Sequence, residues 1–491
     1  MKLVFLFLCI TVYIMPQNLT TDNSPKPTTY TELISRVKSV KNDKLNIRLE
    51  FVAQSSEGRD IPALFISKSE FGKDKNKLVV LVFAQQHGDE QSGKEGALLL
   101  LEKISSGELN KLFNNIDLII VPQVNPDGSE KNQRRNGRNM DLNRNHLIMT
   151  EPEVIGLHRL FNKYLPEMTL DVHEYYPYTD DWIKFGYIKH WDEQFGTTTN
   201  PNVSAEIRSY SNNDFLPFVK QKLEQNGFTF NNYILGGPPN EFRMRHSTFD
   251  INDGRQSLGI LSTFSFILEG LNGKDSYKDN IKRRAEGQSA AIEAFLEFGA
   301  NNRETIKKLI SSERQKLVSG HEGEKITIRM EHISSNNTLN LTLQSVSSGK
   351  DTLIKTKNYH DSYNKIIEVT KPAGYLLPKP DKRIKAFLDN HSILYTEYKP
   401  GVKDRLFKYN ITSVDSIELE ETVIPDPHVS KIPLKSINFK DYYFVPVNQL
   451  HGNMLVLGLE PQSMLGVSVY EQFSDWITAG NDYPVIRMET K

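Results

Sequence analysis

Cysteine is almost missing: Cys9 is the single copy in 491 residues. One cysteine excludes a disulfide framework and excludes zinc sites built on several thiolates. Any transition-metal site must therefore draw on His and carboxylates. An excess of one charge is missing too. Lys and Arg number 60 and Asp and Glu 61, a formal net charge of -1. With no basic block either, no nucleic-acid partner is expected. Beyond the N-terminus no apolar run approaches the roughly twenty residues of a membrane span, so none is expected in the mature chain. Internal repeats and low-complexity tracts are also absent. The length exceeds one ordinary domain, and two or three are expected.

The N-terminal run is Met1-Lys2-Leu3-Val4-Phe5-Leu6-Phe7-Leu8-Cys9-Ile10-Thr11-Val12-Tyr13-Ile14-Met15. One Lys precedes about a dozen apolar residues, and a polar stretch follows. That reads as a signal peptide over residues 1–18. The chain is expected to be exported, periplasmic or secreted, with a retained N-terminal anchor as the alternative. Lack of disulfides is compatible with export, because a chain this long buries an adequate core without them.

From residue 24 to 320 apolar strands alternate with helical patterns. Strands are expected near 45–54, 61–68, 78–83, 116–122, 168–172 and 262–268. Helices are expected near 31–41, 96–104, 152–164, 216–225, 278–298 and 303–318. That alternation predicts an α/β domain. Residues 125–145 read as a long polar loop. After residue 321 the pattern changes to short alternating strands with one helix near 382–390 and a strand over 393–398. Residues 321–491 are expected to form a smaller β-rich region with no chemistry legible in it. His428 and His451 there read as surface or packing residues.

One stretch organises the chain: Gln85-Gln86-His87-Gly88-Asp89-Glu90. It joins the apolar strand Leu78–Phe83 to a helix, at the carboxyl end of a strand where open α/β sheets place their sites. An imidazole and a carboxylate three positions apart can close on one small cation. Two further strand ends supply His173, in Asp171-Val172-His173-Glu174, and Glu269, in Leu268-Glu269-Gly270. His87, Glu90 and His173 make a His₂Glu set with a fourth position open, the catalytic kind of zinc site. Glu269, if near a water there, can take its proton and pass it to a leaving amine.

The loop Asn125-Pro126-Asp127-Gly128 … Arg134-Arg135 … Asp141-Leu142-Asn143-Arg144-Asn145 extends the pattern. Together with His-x-x-Glu, the later His and the strand-end Glu, in that order, it resembles the zinc carboxypeptidases of the carboxypeptidase A type, the M14 metallopeptidases. The resemblance covers roughly residues 30–300. It implies an α/β/α sandwich with a mixed central sheet, followed here by the β-rich region. It implies one Zn²⁺ per chain on His87, Glu90 and His173, with Asp141 accepting a hydrogen bond from a ligand His. Arg134 corresponds to the oxyanion-polarising Arg, with Arg135 as alternative. Asn143 and Arg144 would hold the substrate's terminal carboxylate, and Glu269 matches the general base. The position about fourteen or fifteen residues before that base, Gly254 or Arg255, would face the C-terminal side chain. Arg255 there would favour an acidic one.

One departure stands out. The family's mobile-loop Tyr has no counterpart in Arg243-Met244-Arg245-His246-Ser247-Thr248-Phe249-Asp250, where His246 or Arg245 is the candidate replacement. The expected function is that of an exported zinc metallocarboxypeptidase acting on a peptide or peptide-like substrate with a free carboxylate. The alternatives are a zinc deacylase or amidohydrolase of N-acyl amino acids, and a non-catalytic peptide- or glycan-binding homologue.

Overall fold

Strands that are buried on both faces need cover on both sides, and four of them set the centre of the molecule. Leu78–Ala84, Ile116–Val121, Met168–Tyr175 and Phe264–Leu271 are buried almost throughout. The computed structural model describes residues 26–239, 241–319, 323–401, 403–419 and 422–490. The expected signal segment, 1–18, lies outside them.

The central sheet has eight strands. Across it they run Asn46–Gln54, Asp60–Ser67, Ile116–Val121, Leu78–Ala84, Met168–Tyr175, Phe264–Leu271, Glu193–Gly196 and Phe230–Asn232. Neighbours from Ile116–Val121 to Phe264–Leu271 are parallel. Antiparallel pairings join Asp60–Ser67 to Ile116–Val121 and Phe264–Leu271 to Glu193–Gly196, so the sheet is mixed.

Alternation along one strand shows the two covered faces. Val172 meets Gly93 of helix Gln91–Ser106, where an added Cβ would lie 3.0 Å from the Val172 side chain. Asp171, pointing the other way, meets Gly254 of helix Gly254–Gly259, where a Cβ would lie 2.5 Å from its carboxylate. Helix Gln91–Ser106 in turn packs closely on helix Ile281–Asn301, since a Cβ on Gly96 would lie 2.6 Å from that of Gln288. The result is the expected α/β/α sandwich. His173, two residues after Asp171, shares the Asp171 face.

Several boundaries differ from expectation, each for a tertiary reason. Strand Phe264–Leu271 does not end before Glu269, because Met168–Tyr175 pairs with it through Leu271 and Glu193–Gly196 pairs on the other side, where Glu269 faces Gln194. The loop after residue 125 opens with a short helix, Pro126–Glu130, capped by the Asn125 side chain on the Gly128 N–H at 2.8 Å. The C-terminal half holds a second helix, Gly452–Leu459. It is apolar and buried all round, so its sequence lacks the helical period that marks a half-exposed helix. The expected strand over 393–398 shrinks to Thr396–Glu397, and a long hairpin forms from Asp404–Leu419 and Thr422–Leu434.

The C-terminal half interlocks with the rest. Gln344 pairs with Ile188 and Tyr359 with Met244, so two small sheets take strands from both halves. A single apolar cluster runs from Leu33 through the central sheet to Val485. Among the described residues no helix is long and apolar enough to cross a membrane.

Candidate metal centre and catalytic cavity

The turn after Leu78–Ala84 is held by close backbone contacts. Gly88 has no room for a Cβ, which would lie 2.1 Å from the Gly128 carbonyl carbon. Its N–H donates to the Arg134 carbonyl at 3.2 Å. Asn125 Nδ2 donates to the Gln86 carbonyl at 3.0 Å. Asp127 is fully buried and accepts from the Ser55 hydroxyl at 2.7 Å, the Glu57 N–H at 2.9 Å and the Arg59 guanidinium at 2.7 Å. Asn-Pro-Asp-Gly thus fastens the His87 turn to the loop that carries Arg134.

Glu90 occupies the N-cap position of helix Gln91–Ser106 yet makes no cap bond with its side chain. Its carboxylate turns to the imidazoles instead: Oε1 lies 2.7 Å from His87 Nδ1 and Oε2 lies 2.8 Å from His173 Nδ1. Oε2 also accepts the Glu174 N–H at 3.0 Å. The two Nδ1 atoms are 3.1 Å apart. The far side of each ring is fixed by an acid. His87 Nε2 lies 3.0 Å from Asp141 Oδ1, and His173 Nε2 lies 2.8 Å from Asp171 Oδ1.

Those acids set the tautomers. Each Nε2 donates its proton outward, so in the neutral rings each Nδ1 lone pair faces inward. Two lone pairs and one carboxylate then converge with no donor among them, which is the donor set of a cation site. His87, Glu90 and His173, all buried, form a group that could hold a metal ion, and zinc at about 2.0–2.2 Å from N and O ligands suits it. Burial alone would raise the Glu90 carboxyl, but with no cation between them the rings are drawn toward protonation, and as imidazolium ions they hold it well below the usual range.

A cavity of about 380 Å³ opens beside this group. Its walls include Arg134, Asn143, Arg144, Arg255 and Glu269 together with His87 and Glu90. Glu269 and His173 are register partners on adjacent parallel strands. Burial pushes the Glu269 carboxyl up to about 7, against the pull of His173 and with Glu90 adding to the rise. Arg134 reaches the centre: its Nη1 lies 3.2 Å from His87 Nδ1 and its Nη2 lies 3.0 Å from Asp141. Arg135 turns back onto its own loop, donating to the Asn139 carbonyl at 3.1 Å.

Asp141 caps the turn Leu142–Arg144, accepting the Asn143 N–H at 3.0 Å. Asn143 Oδ1 accepts the Gly254 N–H at 2.8 Å, which fixes the amide and leaves Nδ2 as its donor side. Arg144 donates to the Asn143 carbonyl at 2.7 Å. Gly254 is packed on Asp171, so the wall residue of that pair is Arg255. The Arg255 side chain is buried, with Nη2 on the Ser247 hydroxyl at 2.7 Å and on Asp253 at 3.2 Å. Its Nε and Nη1 have no hydrogen-bond partner.

Two residues escaped the sequence reading. Asp171 orients His173, and the signal was present: a buried acid two positions before a strand His shares its face. Tyr233 lines the cavity and packs 5.7 Å from the Arg255 guanidinium. It lies outside the loop where a Tyr was expected. Of the two suggested replacements, Arg245 lines this cavity, whereas His246 bonds the His360 carbonyl at 3.1 Å and lines a neighbouring one.

Parts of the chain are similar to known proteins. Residues 35–217 match the family model Peptidase_M14, zinc carboxypeptidase. Carboxypeptidase 2 of Trichophyton tonsurans is 24% identical over 453 residues, covering 89% of this chain and 82% of that protein. Carboxypeptidase D of Drosophila melanogaster is 32% identical over 116 residues, covering 20% of this chain and 8% of that one. Among solved structures, a metallo-carboxypeptidase from Pseudomonas aeruginosa superposes with a TM-score of 0.42 at 19% identity, over 56% of this chain and 68% of that one. The family model thus lies on the segment that carries the His87 turn, the Arg134 loop and His173: residues 35–217 are similar to the M14 zinc carboxypeptidases, and the C-terminal region lies outside that match.

Proposed function

We propose that this metallocarboxypeptidase acts after export and removal of residues 1–18, hydrolysing a C-terminal peptide or peptide-like amide bond beside a free carboxylate. The reading takes residues 24–320 as the catalytic unit and 321–491 as its β-rich companion. One observation carries it: His87 and Glu90 of a cation-type donor set line one cavity with an uncommitted buried acid and a guanidinium. His87, Glu90 and His173 would hold zinc, with Asp141 and Asp171 fixing the two imidazoles. Bound zinc supplies Lewis-acid chemistry there. Glu269 takes a proton from the attacking water and returns it to the leaving amine nitrogen. Arg134 faces the negative charge that develops on the scissile carbonyl oxygen. Arg144, with the Asn143 amide, pairs with the substrate carboxylate.

The exported protein is the material to test. Its N-terminus should lie near residue 18, and it should hold about one zinc per chain, as a three-ligand site implies. Chelator should stop release of C-terminal residues, and zinc should restore it. Folded, reconstituted protein without zinc would end this reading.

Arg255 makes side-chain preference testable. A buried guanidinium with two nitrogens unused at the cavity wall is completed by an acidic C-terminal side chain and left unpaired by an apolar one. The expected kcat/KM is about tenfold or more higher for peptides ending in Glu than in Leu or Lys, and Arg255→Ala should erase the difference. An acidic preference that survives the substitution, or a wild-type preference for Leu or Lys, removes Arg255 from this role.

A further inference from the structure

Behind the metal centre a buried row of side chains leads away from Asp171. Gln86, Asp171, His146 and His158 are all withdrawn from solvent. Gln86 Nε2 donates to both Asp171 oxygens at 2.9 Å, and the same carboxylate receives His173 Nε2 at 2.8 Å. With its amide nitrogen on a carboxylate, Gln86 must present Oε1 to the other side. There His146 Nε2 stands 2.8 Å away and is therefore the protonated nitrogen. His146 Nδ1 in turn lies 2.8 Å from His158 Nε2. Burial keeps both rings neutral, His146 pushed down to about 4 and His158 well below its ordinary value. A neutral His146 with its proton on Nε2 accepts at Nδ1, so His158 is the donor. Every bond then points one way: His158 to His146 to Gln86 to Asp171, the acid that orients His173.

The far end is closed by the C-terminal region. Helix Lys382–His391 brings the His391 ring to 5.8 Å from that of His158. His391 Nε2 donates to the Leu147 carbonyl at 2.7 Å, and Asn390 to the Met149 carbonyl at 3.1 Å. Water that reached His158 or His146 would offer Gln86 and Asp171 other partners. Aligned hydrogen bonds in a dry interior strengthen one another, and a half-satisfied chain is costly.

We propose that His146 is a positioning residue for the metal ligand His173, acting through Gln86 and Asp171, and that helix Lys382–His391 keeps this chain dry. The proposal rests on the reading of His87, Glu90 and His173 as zinc ligands. It gives the C-terminal region a part in the metal centre although none of its described residues lines the catalytic cavity.

The test compares two amides in the full-length protein. In His146→Asn the amide reaches only the Nδ1 position, so the bond from His158 survives and Gln86 Oε1 loses its donor. In His146→Gln the amide reaches the Nε2 position and can donate to Gln86. Zinc affinity by chelator competition should fall about tenfold in His146→Asn, the lower end for outer residues of metal sites, and recover to within about threefold in His146→Gln. The rise in Tm on adding zinc to the zinc-free protein should narrow in the Asn variant alone. A merely structural His146 would lower Tm equally with and without zinc and leave zinc affinity at the wild-type value, and that result overturns the proposal. So does a Gln variant as weak as the Asn one. Should His146→Asn fail to fold, His158→Phe removes the upstream donor in a similar shape, with zinc affinity expected to fall about threefold. Unchanged affinity there is equally fatal. Wild-type protein that binds no zinc would instead overturn the ligand reading itself.

Discussion

Glu269→Gln should lose at least ~10² in kcat while keeping its zinc, the usual scale for removing a general acid–base group. The substitution keeps size and buries no new charge. It also leaves the metal group intact, because Glu269 makes none of the contacts among His87, Glu90 and His173. What changes is the only property the reaction uses, the capacity to take a proton. Three features suit Glu269 to proton transfer. It is buried, it sits opposite His173 in register, and burial holds its carboxyl near 7 rather than near 4. A carboxylate with this raised basicity accepts a proton from water more readily than an exposed one. Zinc content and kcat must be measured on the same preparation. Near-wild-type turnover in zinc-loaded Glu269→Gln would show that another group moves the proton.

Much of the centre was legible because its logic is local. His87 and Glu90 share one turn, and the apolar run before them announces a strand. The Asp141–Arg144 stretch is a capped turn whose order places its groups together. What could not be read locally was the partner across the sheet. Glu269 looked like the end of a strand because the chain turns polar there. Its strand continues to Leu271 because Met168–Tyr175 pairs along its whole length and Glu193–Gly196 flanks Ile267 to Gly270 on the other side, both far away in sequence. Tyr233 reached the cavity by the path of a connecting segment, which carries no period. Helix Gly452–Leu459 was missed for the opposite reason: buried all round, it has no polar face to betray a pitch. The row from His158 to Asp171 joins four elements, and no short window of sequence contains two of its bonds. Asp171 is the exception, since alternation on a strand already put it on the His173 face.

Arg144→Ala should abolish the preference for a free C-terminus, at a cost in kcat/KM of roughly 2–5 kcal/mol for peptides that carry one. The argument begins with what surrounds the guanidinium. Withdrawal from water would lower its pKa, but Asp141, Asp253 and Asp250 outweigh that and raise it above the ordinary value. These acids hold Arg144 charged, and Arg144 offsets them in return. Asp141 is committed to His87 and Arg134, and Asp253 to Arg255 and the Gln256 N–H, so neither can turn away when Arg144 is removed. The variant would therefore lack an attractive partner for the substrate carboxylate and would also present it with unbalanced negative charge. Like charges brought together in a partly dry cavity repel, which is why the expected loss exceeds that of one hydrogen bond. An amidated peptide has no such charge, so its rate, already low in the wild type, should change little. The measurement is kcat/KM for matched free-acid and amidated peptides in both proteins. If wild-type protein cleaves the amidated peptide as fast as the acid, the exopeptidase reading is wrong and an endopeptidase or other amidase takes its place. If the acid is preferred and Arg144→Ala keeps that preference, the carboxylate is held by another cation, for which Arg245 on the same cavity wall is the first to substitute.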